Sequence, residues 1–163
     1  MKVYRASRLP IDQFDSLDAS GSVRRGGWRW NDRDTALLYA GSVQALVILE
    51  VAARPGWDQI RELVIAEIEV PDGSVVDLDT LGIVLPSNWS NRPAAPNAKR
   101  IGTAFLQAVG QATAAGQDLC GLRVPSVISS TDFTVILDPQ QCDRYRVSNR
   151  FVVPFDWLAG TST

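Results

Sequence analysis

A chain of 163 residues, 45% hydrophobic and 21% charged, is long enough to bury a sizeable core and short enough to be a single domain over residues 1–163. The net charge of −2, the pI near 5.1 and the lack of any basic block exclude an electrostatic footprint for nucleic acid. The chain has no histidine, which removes Ser-His-Asp and Cys-His catalysis and argues against a zinc site, so any chemistry must rest on carboxylate, arginine, tyrosine or hydroxyl groups.

Read in order, residues 2–6 (KVYRA) predict a first strand carrying Tyr4 and Arg5. MKVYRASRLP has one lysine and no following apolar stretch, so no signal peptide is expected, and no apolar run approaches the ~20 residues of a membrane span. A cytoplasmic protein is the default. Residues 10–27 are polar and turn-rich and should run over the surface. A strand-like Trp28-Arg29-Trp30 follows, then a turn at 31–34 and a strand at 36–40 whose apolar run implies burial on both faces.

Ser42 is a suitable N-cap for a mostly buried helix that ends before Pro55-Gly56. Residues 63–70 alternate toward their end and predict a strand with one wet face. The Pro- and Asn-rich segment 85–97 excludes regular structure and contains Trp89, which should pin it to the body of the domain. Asn97 suits the cap of a second helix over 98–115 that stops at Gly116. Three further strands are expected at 119–124, 133–137 and 150–153. Short strands with two helices in irregular alternation indicate an α+β class. Cys120 and Cys142 lack any CxxC spacing and read as reduced thiols in or near the core.

Residues 26–50 concentrate the chemistry. Arg29, framed by tryptophans, suits either a surface strand or a bidentate grip on phosphate. Tyr39 is a core aromatic or part of a slot. Glu50 is the only charge between Gly41 and Ala53; burying a carboxylate is costly unless it is paired, so it is either half of an ion pair or functional, for example in stabilising an oxocarbenium-like centre. Ser126 follows a proline at a strand end, where a turn serine is the ordinary explanation.

In their order along the chain these segments resemble the RES domain family, named for an arginine, a glutamate and a serine. VYRAS, with Arg5, is similar to the family's opening strand. GGWRWN places the family arginine at Arg29, and LLYAGSVQALVILE gives Tyr39 and Glu50. LPSNW and RIGTAFL resemble the Trp loop and a glycine-containing helix. GLRVPSVISST and VILDP resemble the serine segment, with Ser126, and the terminal strand. The departures are Asp138-Pro139 for the usual Asn-Pro, Thr134 in place of an asparagine, and an extra tryptophan, Trp28.

The resemblance implies a fold similar to bacterial ADP-ribosyltransferase toxins. It also implies the role of toxin in a type II toxin–antitoxin pair, neutralised by an Xre-type antitoxin protein. NAD would be the substrate rather than a bound cofactor, depleted by hydrolysis or phosphorolysis of the nicotinamide–ribose bond. Glu50, Arg29 and Tyr39 are then the expected catalytic residues, with Arg5, Tyr4, Ser126, Trp30 and Asn31 binding substrate. An ADP-ribosyltransferase acting on a protein and a non-enzymatic binding module are the alternatives. The tail VVPFDWLAG, with Phe155 and Trp157, is expected either to pack on its own domain or to contact another chain.

Overall fold

A computed structural model describes residues 1–24, 26–56 and 59–154. The strands are β1 (Lys2–Ser7), β2 (Leu38–Gly41), β3 (Glu62–Glu69), β4 (Val75–Asp77), β5 (Gly121–Pro125), β6 (Phe133–Leu137) and β7 (Arg146–Pro154). They form one seven-stranded sheet in the order β4-β5-β6-β2-β1-β3-β7. Every pairing is antiparallel except β4 with β5. Two α-helices, α1 (Gln44–Ala52) and α2 (Pro96–Ala114), accompany it among the described residues, in keeping with the α+β class.

Strand periodicity sorts the core into two faces. Val3, Leu38, Ala40, Val64, Ala66, Ile68, Val135 and Leu137 point to one side. Phe14 and Ala19 cover that side from the 10–22 segment, which runs over the surface as its polarity suggested but is anchored by these buried residues, and Tyr145 closes it. On the other side Leu63 and Ile65 meet Val47 and Val51 of α1, while Leu122, Val124 and Ile136 meet Ile101, Phe105 and Val109 of α2. Both helices thus lie on one face, over different halves of the sheet. β2 occupies the middle of the strand order, so its residue on that face, Tyr39, stands between them.

Several local expectations are corrected. α1 is not buried all round: Leu46, Val47 and Val51 are covered, but Leu49 is 48% exposed, because the helix rests on the sheet by one face only. Its N-cap is Val43, not Ser42, whose Oγ accepts from the Phe133 N–H at 3.2 Å and ties the helix entry to β6. Trp28-Arg29-Trp30 forms bends rather than a strand; Gly27 is at φ +84°, and the Trp28 N–H donates to Asn31 Oδ1. α2 starts on Pro96 after the cap residue Ala95, with no side-chain cap from Asn97. β7 reaches back to Arg146 because it pairs with β3 along its whole length. Cys120 is buried and Cys142 exposed, and both are free thiols. Phe155 and Trp157 lie outside the described residues.

Candidate active site

The approach of α2 to the sheet sets one wall of the site. Gly102 donates its N–H to the Trp30 carbonyl at 2.8 Å, and a Cβ there would lie 2.3 Å from that same oxygen. Only glycine admits this contact. Trp30, 2% exposed, then stacks on Trp89 with centroids 5.7 Å apart. Arg29 Nη1 completes the clamp by donating to the carbonyls of Trp89 (2.6 Å) and Asn91 (3.0 Å), so the irregular 85–97 segment is fastened at its tryptophan.

Asn31 organises the next layer. It is fully buried, and its Nδ2 donates toward the carbonyls of Ser22, Asp32 and Thr35. Its Oδ1 accepts from the Trp28 N–H and, at 2.7 Å, from the Tyr39 hydroxyl, which in turn accepts from the Trp30 N–H at 3.1 Å. The hydroxyl is therefore committed on both sides, and burial holds its pKa far above the ordinary tyrosine value. Tyr39 contributes a ring to the cavity, not a proton.

Around these residues opens a cavity of about 810 Å³, within the roughly 300–1,000 Å³ usual for small-molecule sites. Arg29, Trp30, Tyr39, Glu50 and Ser126 all line it, together with Trp28, Thr134, Arg8, Arg24, Arg54 and Arg92. Among the described lining residues, five arginines face a single carboxylate, in a chain whose net charge is negative. That carboxylate, Glu50, projects from α1. Burial raises its pKa, opposed by the charge of Arg54 and by the hydroxyl of Thr134, which donates to Oε1 at 3.3 Å. Ser126 is 8% exposed and accepts from the Ile128 N–H at 3.1 Å, which leaves its own proton to give.

Three expected site residues are placed elsewhere. Arg5 donates to the carbonyls of Ser16 (2.8 Å) and Asp18 (2.6 Å) and lies over the Phe14 ring. It fastens the 14–18 segment to β1 and is not among the residues that line the cavity. Tyr4 pairs with Gly41 and packs against the α1 core. Asn31 is consumed by the network beneath the cavity and acts on it through Tyr39 and Trp28. Thr134 was notable in the sequence only as a replacement, and it proves to be the hydrogen-bond partner of Glu50. Asp138, the other replacement, caps a short 3-10 helix through the Gln140 N–H and plays no part in the cavity.

Sequence reasoning missed Arg8, Arg24, Arg54 and Arg92. Arg54 lies just beyond the end of α1 and the other three come from irregular segments, so none of the four carried a periodic signal. A shallower hollow of about 630 Å³ shares Pro125 with the main cavity. Its Arg123 donates through Nη1 to the exposed carboxylate of Asp77 at 3.2 Å.

Residues 2–157 match the RES domain family. Over 145 residues the chain is 34% identical to a "Prs ADP-ribosylating toxin" of Sphingobium sp. (strain YBL2), covering 86% of this chain and 83% of the relative. Over 115 residues it is 28% identical to a "Toxin Res" of Yersinia enterocolitica, covering 70% and 69% respectively.

Proposed function

The chain belongs to the RES domain family, and from that membership we propose that it is a toxin that cleaves the nicotinamide–ribose bond of NAD. The observation that carries the reading is the single half-buried carboxylate, Glu50, in a cavity whose described lining also holds five arginines and three aromatic rings. The arginines suit a pyrophosphate, the rings of Tyr39 and Trp30 suit flat bases, and one anion suits one developing cation. The strand and helix arrangement is read as an ADP-ribosyltransferase-like core.

In this mechanism the bond between the ribose C1′ and the pyridinium nitrogen breaks, and its electron pair goes to that nitrogen. Nicotinamide leaves neutral, so no general acid is needed, which accords with a histidine-free chain. The positive charge passes to the ribose as an oxocarbenium ion. Glu50 stabilises it, a contribution of about 3 kcal/mol if it matches other preorganised electrostatic groups. Arg29 is held by two carbonyls through Nη1 and presents the rest of its guanidinium to the pyrophosphate. Ser126 donates to a phosphate or ribose oxygen. Water or inorganic phosphate then adds to C1′ and gives up a proton.

A second reading shares the first step and changes the acceptor to a side chain of a target protein. It is favoured by the Sphingobium relative, which is named an ADP-ribosylating toxin. NAD labelled in its adenylate separates the two: label confined to small products supports hydrolysis or phosphorolysis, and label on a macromolecule supports transfer. Omitting phosphate divides the small products further. No nicotinamide release under any of these conditions, from folded protein free of its antitoxin, sinks both readings. An Xre-type antitoxin is the proposed partner and the cytoplasm the proposed place of action; no helix among the described residues is long and apolar enough to cross a membrane.

A further inference from the structure

The extra tryptophan, Trp28, is not explained by the proposed reaction. Its ring lies 4.9 Å from that of Tyr39, tilted by 48°, and on it rests the guanidinium of Arg54, 4.5 Å from the ring centroid. Arg54 follows Glu50 by four residues, just beyond the C-cap of α1. Trp28, Tyr39, Glu50 and Arg54 all line the cavity. Arg54 is itself solvent-exposed, and an exposed arginine ordinarily samples many rotamers and exerts a weak, screened field. A ring beneath the guanidinium limits that freedom.

We propose that Arg54 is a positioning residue for the reaction: stacked on Trp28, it holds a fixed positive charge in the cavity that Glu50 lines and keeps that carboxylate ionised. The inference rests on the reading of Glu50 as the group that stabilises the ribose cation, since only the ionised form does so.

The surroundings of Glu50 leave this task to Arg54. Tyr39 faces it from β2 and is neutral, with its hydroxyl committed to Asn31 and Trp30. Thr134 faces it from β6 and gives one hydrogen bond. Arg8, Arg24, Arg29 and Arg92 also line the cavity, but the charge that offsets the burial of Glu50 is that of Arg54. Trp28 thus acts on Glu50 at one remove, by fixing the cation that acts on it directly.

The test is the carboxyl titration of Glu50, followed by carbon-13 NMR and assigned through Glu50→Gln, alongside the pH profile of NAD cleavage. Arg54→Met and Trp28→Leu should both move the Glu50 titration to higher pH. Both should lower turnover on the acid limb of the pH profile by about tenfold, as the loss of a close opposite charge does, with recovery toward the unaltered rate on the alkaline side. Arg54→Lys and Trp28→Phe, which keep a cation and a ring, should keep the titration near its original position. A role in packing alone would lower turnover equally at every pH and leave the titration in place. An unmoved titration in folded Arg54→Met overturns the proposal. A moved titration with an unmoved pH profile leaves the electrostatic pairing standing and overturns the catalytic role of Glu50 instead.

Discussion

Replacing Tyr39 by phenylalanine removes one oxygen and separates two roles that the sequence alone left together. The hydroxyl accepts from the Trp30 N–H at 3.1 Å and donates to Asn31 Oδ1 at 2.7 Å. Without it Asn31 Oδ1 keeps the Trp28 N–H, but the Trp30 N–H, in a residue only 2% exposed, has no acceptor. An unsatisfied buried donor costs about 1–3 kcal/mol. For a chain of this length about 2 kcal/mol corresponds to a fall in Tm of roughly 4–8 °C. The ring remains, so turnover of NAD per folded molecule should stay within about threefold of the unaltered protein, a change under about 0.7 kcal/mol in the barrier. Thermal denaturation with steady-state kinetics below the transition reads both quantities. An unchanged Tm with abolished turnover would refute the assignment and return the hydroxyl to the chemistry.

Further outcomes follow from the same geometry. Burial raises the folded-state pKa of Glu50 above its unfolded value, so the carboxylate destabilises the fold as pH rises through that raised pKa. Glu50→Gln should therefore be more stable than the unaltered protein at pH 8, with the difference vanishing below the ordinary value of 4.5; urea denaturation at both pH values checks this, and a less stable variant at pH 8 contradicts it. Gly102→Ala should cost about 1–3 kcal/mol by overpacking against the Trp30 carbonyl, and should quench the protection of the Trp30 segment from hydrogen exchange. Arg5→Met should lower stability by freeing the Ser16 and Asp18 carbonyls while leaving KM for NAD near its original value; a large rise in KM with normal stability would restore Arg5 to the substrate.

The strands were legible because their apolar runs and the turns between them are local signals, as at β3 and β6. The anchoring of the 10–22 segment was not legible because it depends on non-local partners: Arg5 saturates two of its carbonyls, and Phe14 fills the sheet face, neither of which alters local composition. Glu50 was legible as a misfit, one charge in an apolar helix. Arg29 and Tyr39 drew notice through their aromatic neighbours, but their hydrogen bonds did not, since Arg29 reaches carbonyls about sixty residues away. Asn31 illustrates the limit most clearly. Its type and position pointed to the site, and it lies beside it, yet its polar atoms are directed into the protein, where they fix the ring that faces the cavity. Arg8, Arg24 and Arg92 come from turns whose paths no periodicity predicts.

The most direct test of the account is release of nicotinamide from NAD by the purified chain, compared with folded Glu50→Gln under the same conditions. The account predicts nicotinamide from the unaltered protein and a loss of about a hundredfold or more with the isosteric amide, the scale of removing one preorganised charge at a developing ion. Release at an unchanged rate from Glu50→Gln, with its fold verified, would contradict it.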